Sequence, residues 1–126
     1  MFGPVAGALV RGTAFSDVGP VVDDAFHFEF PEPRIVGPTI EGTVIYIDTF
    51  GNLVSTIGGP AWETFLKDVD GDLTEMVAEI DRVIVPVVTT FGDVPDDEAC
   101  AYLGSTGRIE IAVNQGSAAK RFAAVI

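Results

Sequence analysis

The chain has 126 residues, of which 48% are hydrophobic, so one folded domain with a modest core is expected and intrinsic disorder is excluded. Asp and Glu number 19 against 7 Lys and Arg, a net charge of −12, which excludes a basic nucleic-acid-binding surface. No apolar run approaches the roughly 18 residues that span a bilayer, and a basic leader is lacking, so a cytoplasmic location without membrane contact is predicted.

The N-terminal third is predicted to be a short helix followed by a linker. Apolar residues near helical spacing predict a helix over residues 2–12, with Gly12 as its end. Residues 13–38 contain four prolines, which indicates an extended connection without regular structure. His27, the single histidine, lies in this connection within the run AFHFEF. Residues 1–40 therefore look like the tail of a preceding domain and its linker, and residues 41–126 like a second domain.

From residue 42 onward the pattern is that of β-strands. Runs rich in β-branched residues, separated by Gly, Pro and Asp, predict strands over 43–47, 53–57, 75–80, 82–88, 99–103 and 108–113. Pro60 opens a short helix with Trp62 and Phe65 on its apolar side, and a second short helix follows Ser117. Pro86 removes a ladder donor, which predicts an edge strand or a bulge. The fold class is therefore mainly β, a small antiparallel β-barrel or sandwich with one or two short helices.

Neither a metal site nor a bound cofactor is predicted. Residues 68–72 read DVDGD, and Glu79 stands where a calcium loop would end, but the glycine is fourth instead of sixth. An acidic, solvated turn is the interpretation. Cys100 is the single cysteine, lies in an apolar run and is predicted to be a buried thiol.

The first candidate binding element is the run YIDTFGNLVSTI, residues 46–57. Its strand stops at small and amide residues, which are poor strand formers but offer open backbone and hydrogen-bonding groups. Asp48 could accept hydrogen bonds from an ammonium or from ribose, Asn52 suits the edge of an adenine, and Phe50 offers a ring for stacking. The alternative is a tight turn in which the polar groups satisfy local backbone and Phe50 belongs to the core.

The second candidate element is residues 104–119, GSTGRIEIAVNQGSAA. Ser105 lies in a hydroxyl-rich turn that could hold a carboxylate or an amino-acid group, or could simply join two strands. Val113, Asn114 and Gln115 close the following strand. We expect the loops near residues 50 and 114 to converge as two walls of one pocket. Phe91, in the run TTFGDV, could be a core aromatic or a further pocket wall.

Together these three runs, in this order, resemble the C-terminal domain of the S-adenosylmethionine (SAM) hydroxide adenosyltransferases, a family related to the enzymes that fluorinate or chlorinate SAM. The resemblance extends from about residue 41 to residue 119. It implies a small β-barrel that recognises adenosine or SAM, with SAM as substrate and no cofactor. It also implies that Ser105 contacts the methionine end, and that Phe91 and the backbone of Val113, Asn114 and Gln115 meet the adenine.

The resemblance further implies a reaction that this chain would complete only in part. In the family, water attacks SAM to give adenosine and L-methionine, in a pocket between the C-terminal domain of one subunit and the N-terminal domain of its neighbour in a trimer. Residues 1–40 match none of the N-terminal catalytic residues, so no catalytic residue is assigned. Thr49 stands where the family motif usually has Arg. A binding module without catalysis, or an oligomerisation module, is the alternative function.

Overall fold

The computed structural model describes residues 2–69 and 75–125. The calcium-like run at 68–72 therefore lies largely outside the described residues. Within them, helix α1 spans Phe2–Val10 and ends before Gly12, whose φ of +91° suits a helix terminus. The predicted N-terminal helix is confirmed, but it buries none of its residues.

The linker prediction is wrong at its C-terminal end. Strands β1 (Arg34–Val36) and β2 (Thr39–Glu41) form a two-stranded antiparallel hairpin. The two-residue loop between them needs a positive φ, and Gly37 supplies it at +58°. The proline pattern missed this hairpin because Pro38 lies in the turn, where it removes no ladder hydrogen bond.

The second sheet has six strands among the described residues and carries the candidate site. They are β3 (Val44–Ile47), β4 (Leu53–Gly58), β5 (Val77–Ile80), β6 (Val83–Val88), β7 (Ala99–Leu103) and β8 (Arg108–Val113). Their order across the sheet is β3-β4-β8-β7-β6-β5, and the sheet is curled into a half-barrel. All neighbouring pairs are antiparallel except β6 with β7. The mainly β fold class is confirmed.

Strand β6 is not an edge strand, contrary to the prediction made from Pro86. It lies between β5 and β7. Val87 donates its N–H to the carbonyl of Met76 in the β5 direction, so the backbone nitrogen of Pro86 faces the β7 side. The ladder with β7 begins only at Val87, and the missing donor therefore costs no bond.

The core fills the concave side of the sheet. Helix α2 (Gly59–Asp68) has a proline in its first turn, as predicted, and its residues Trp62 and Phe65 pack into the core cluster. The short helix α3 (Ala118–Arg121) closes one end and begins at Ser117, whose hydroxyl accepts the N–H of Lys120. Ten buried residues form this cluster: Leu53, Trp62, Phe65, Val85, Ala99, Ala101, Ile109, Ile111, Val113 and Ala118. Cys100 is fully buried, as predicted.

Candidate functional site

The register between β4 and β8 decides which turns meet. Leu53 lies opposite Ile111, so the turn that precedes β4 and the turn that follows β8 lie at the same end of the sheet. The carbonyl of Gly51 accepts the N–H of Ala119 at 2.9 Å. Gly51 also packs against Ser117 so closely that a Cβ at Gly51 would lie 2.8 Å from the Ser117 Cβ. The loops near residues 50 and 114 therefore converge, as the candidate pocket requires.

The turn at residues 48–52 is built around the carboxylate of Asp48. One oxygen accepts the backbone N–H of Phe50 and of Asn52, both at 2.8 Å. The other accepts the side-chain amide of Asn52 at 3.0 Å. Both carboxylate oxygens of Asp48 thus accept hydrogen bonds from within the turn and stabilise it, as the alternative interpretation expected. One side-chain amide N–H of Asn52 is used in these bonds.

Phe50 does not belong to the core, however. Its ring is 78% exposed at the tip of the turn. A turn of this kind has no need of an aromatic side chain in solvent, and the exposed ring offers a free face for stacking. The expectation that Phe50 belongs to the core is therefore wrong.

The last residue of β8 and the two residues after it differ in what their side chains do. Val113 is buried in the core cluster, so its side chain faces away from any ligand. Asn114 donates its side-chain amide to the carbonyl of Val94 at 2.8 Å and to Asp96 at 3.3 Å. Gln115 is exposed and has a φ of +58°, in the left-handed region. Asn114 therefore ties the loop before β7 to the end of β8, while Gln115 remains accessible.

Ser105 lies at the other end of the β7–β8 hairpin. It is exposed in the turn at residues 104–107, while Val113 ends the six-residue strand β8. At about 3.3 Å per residue, roughly 16 Å of strand separates the two ends. Ser105 and Gln115 could therefore contact the same ligand only if that ligand were extended along the sheet.

Between these two ends, the face of the sheet opposite the core carries two residues that the sequence reasoning did not select. Tyr102 and Glu110 lie opposite each other on β7 and β8, and the tyrosine hydroxyl donates to the Glu110 carboxylate at 2.8 Å. The half-exposed ring of Phe91 meets the Tyr102 ring edge-on, with centroids 6.0 Å apart. We call Phe91, Tyr102, Glu110 and Thr106 the Tyr102 face.

The electrostatics of this face link it to the Asp48 turn. Burial raises the pKa of Tyr102, and the hydrogen bond and charge of Glu110 and the charge of Asp48 raise it further. Burial, and then the charge of Asp93, raise the pKa of Cys100. The phenol of Tyr102 therefore stays protonated at neutral pH. The alternation of apolar and polar residues along β8 places Glu110 on the face opposite the core. It does not predict that Glu110 is buried on that face.

An open cavity of about 800 Å³ lies beside the core residues Trp62 and Phe65, lined mainly by β2, α2 and β5. None of the eight predicted site residues lines it. Its wall includes Val69 and Glu75, the two described residues that flank the undescribed segment 70–74. We do not assign a ligand to it. Among the described residues, no cluster of three or more metal-ligating side chains is found.

The helices in the described part of the chain are all too short or too polar to cross a membrane.

The model of the SAM hydroxide adenosyltransferase C-terminal domain matches residues 42–125. The (R)-S-adenosyl-L-methionine hydrolase of Thermus thermophilus is 36% identical over 118 residues, which cover 94% of this chain and 41% of that protein. The enzyme of the same name from Salinispora tropica is 32% identical over 122 residues, 94% of this chain and 43% of that protein.

Two solved structures are also similar. An uncharacterised conserved protein from Thermotoga maritima has a TM-score of 0.70 and 30% identity, over 99% of this chain and 47% of that one. A conserved hypothetical protein from Thermus thermophilus has a TM-score of 0.54 and 33% identity, over 98% of this chain and 47% of that protein. The chain thus spans less than half the length of these relatives. It belongs to the SAM hydroxide adenosyltransferase family, of which it matches the C-terminal domain.

Proposed function

We propose that this chain recognises the adenosyl group of SAM as the C-terminal domain of a SAM hydrolase. The observation that carries the proposal is the convergence of the Asp48–Asn52 turn with the end of β8, joined by the hydrogen bond from Ala119 to Gly51. In this proposal the exposed ring of Phe50 and the exposed residue Gln115 contact the same ligand. We propose that this domain begins near residue 41, supported by a family match that begins at residue 42.

The proposed reaction is hydrolysis of SAM at its 5′ carbon. The oxygen of water forms a bond to that carbon, the carbon–sulfur bond breaks with its electron pair going to sulfur, and one proton is released. The products are adenosine and L-methionine. Because the sulfonium is already a good leaving group, orientation of the ligand and exclusion of bulk water are the main tasks of the protein.

The residues of this chain would bind and orient the substrate. Phe50 and Phe91 would supply ring faces for the purine, and the backbone beside Gln115 would meet its edge. Asp48 would act by holding the turn, and Ser105 would reach the methionine end of an extended ligand.

Catalysis by this proposal needs a second domain. The hydrolases of Thermus and Salinispora are more than twice as long as the matched region, and we propose that an N-terminal portion like theirs positions the attacking water. We also propose a trimer in which this portion comes from a neighbouring subunit. The chain alone would bind the adenosyl group without releasing adenosine from SAM.

Calorimetry with adenosine tests the binding proposal, using two phenylalanine variants. Phe50→Ala is expected to weaken binding at least about fivefold, since stacking of a base on an aromatic ring contributes about 1–3 kcal/mol. Phe15→Ala is the matched control, because Phe15 is 82% exposed against 78% for Phe50 but lies outside the site. Equal affinity of the two variants would remove Phe50 from the site, and no binding by the wild type would favour a purely structural module.

Chromatography of SAM incubated with the purified chain tests the division of labour. We expect no adenosine above the uncatalysed background. Steady release of adenosine by the chain alone would show that the catalytic residues lie within residues 1–126 and would overturn the two-domain proposal.

A further inference from the structure

The carboxylate of Glu110 lies under the turn that carries Ser105. Glu110 is only 6% exposed. The hydroxyl of Thr106, in the turn, donates to one carboxylate oxygen at 3.4 Å. Gly104, the first residue of the turn, is itself buried, and a Cβ there would overlap the same carboxylate. The position of this turn is therefore set by the side chain of Glu110 as well as by the hairpin bonds of its backbone.

The other oxygen of Glu110 acts on a different part of the site. It accepts the hydroxyl of Tyr102 at 2.8 Å, and the Tyr102 ring contacts Phe91 at a centroid distance of 6.0 Å. Phe91 stands at the start of a short 3₁₀ turn whose backbone is capped by Thr90 and Asp93. One buried side chain thus contacts the Ser105 turn directly and the Phe91 ring through a single intermediate.

The neighbouring cation does not take over this role. Arg108, two residues before Glu110 on the same strand, directs its guanidinium to the backbone carbonyls of Thr56 at 3.1 Å and Ser55 at 3.5 Å. A buried carboxylate is costly unless hydrogen bonds satisfy it, and here the donors are hydroxyls from the two elements described above. Loss of the hydrogen bond from either Thr106 or Tyr102 would leave the buried Glu110 carboxylate with fewer donors. The Ser105 turn and the Tyr102 ring are therefore energetically coupled through Glu110.

We propose that Glu110 is a positioning residue of the adenosyl site, one that holds the Ser105 turn and, through Tyr102, the Phe91 ring in a single arrangement. The identity of the ligand rests on the proposed function, whereas the positioning role does not. Glu110 itself touches no ligand in this proposal. Its removal would loosen both ends of the Tyr102 face while the concave core of the sheet stays intact.

Nuclear magnetic resonance on the 126-residue chain tests the positioning role without any ligand. In Glu110→Ala, the amides of Ser105 and Thr106 are expected to exchange faster with solvent, and the ring signals of Phe91 to shift. Glu110→Gln keeps one acceptor for Tyr102 and should show a smaller change. Thr56→Val is the matched control, because it removes a buried hydroxyl, 3.0 Å from the N–H of Thr43, on a strand remote from Phe91.

Titration with SAM and with adenosine adds the functional readout. The affinity for SAM is expected to fall at least about fivefold in Glu110→Gln, and the affinity for adenosine less, because the Ser105 turn is assigned to the methionine end. Absence of binding to the wild-type chain would overturn the proposed function but not the positioning role. Unchanged Ser105, Thr106 and Phe91 signals in folded Glu110→Gln would overturn the positioning role. If the alanine variant fails to fold, Glu110→Gln and Tyr102→Phe decide the question.

Discussion

Replacement of Gly51 by alanine tests the convergence of the two turns, on which the proposed site depends. Gly51 has a φ of +88°, and left-handed backbone costs a non-glycine residue about 1–2 kcal/mol. The added Cβ would also lie 2.8 Å from the Cβ of Ser117 and collide with its hydroxyl, and such overpacking costs about 1–3 kcal/mol. The free energy of unfolding of Gly51→Ala is therefore expected to fall by about 2–5 kcal/mol.

A double-mutant cycle separates the two contributions. Ser117→Gly alone loses the hydroxyl that accepts the N–H of Lys120, but the cost is only a few tenths of a kcal/mol because glycine is itself a favourable N-cap residue. In Gly51→Ala/Ser117→Gly the collision is relieved while the backbone strain remains, so the double variant should be more stable than the sum of the single losses by about 1–3 kcal/mol. Urea unfolding monitored by Trp62 fluorescence measures all four proteins. Strictly additive losses would show that the two turns do not touch.

Three further predictions concern the core, the pH dependence and the charge. Trp62→Ala should lower the free energy of unfolding by about 3–5 kcal/mol, measured by urea unfolding followed by circular dichroism, because the ring is 93% buried by α2 packing against the sheet. The pKa of Tyr102 is raised above its ordinary 10.0 in the folded state, so the contribution of this residue to stability is present below pH 10 and is lost as the pH rises beyond it. Thermal melts between pH 8 and 11 should therefore show a steeper decline of the melting temperature for the wild type than for Tyr102→Phe. The net charge of −12 should destabilise the fold by self-repulsion that salt screens, so the melting temperature should rise from low salt to molar KCl. A melting temperature indifferent to salt would contradict this reasoning.

The local elements were predictable because each depends on nearby residues. Strands β7 and β8 have the predicted bounds, since a run of apolar or alternating residues between turn formers specifies both the strand and its ends. The break between the strands predicted over 75–80 and 82–88 is present as well, and Asp81 and Arg82 have positive φ there, as a tight hairpin requires. Predictions from proline were wrong in two places. Pro38 lies in the turn of the β1–β2 hairpin, and the nitrogen of Pro86 faces the β7 side, where this part of β6 is not paired, so neither proline removes a ladder hydrogen bond.

The candidate site was predictable in its components and only partly in its arrangement. The sequence by itself determined a mainly β domain, its family and the two turns at residues 48–52 and 114–116, because motif order and strand ends are properties of the chain alone. Only the tertiary structure decided that Phe50 is exposed, that Asn114 is used to tie down a loop, and that Ser105 lies about 16 Å of strand away from Val113. Only it revealed the buried Glu110, since burial depends on which strands and turns cover a face, and that is set by pairing between residues distant in sequence.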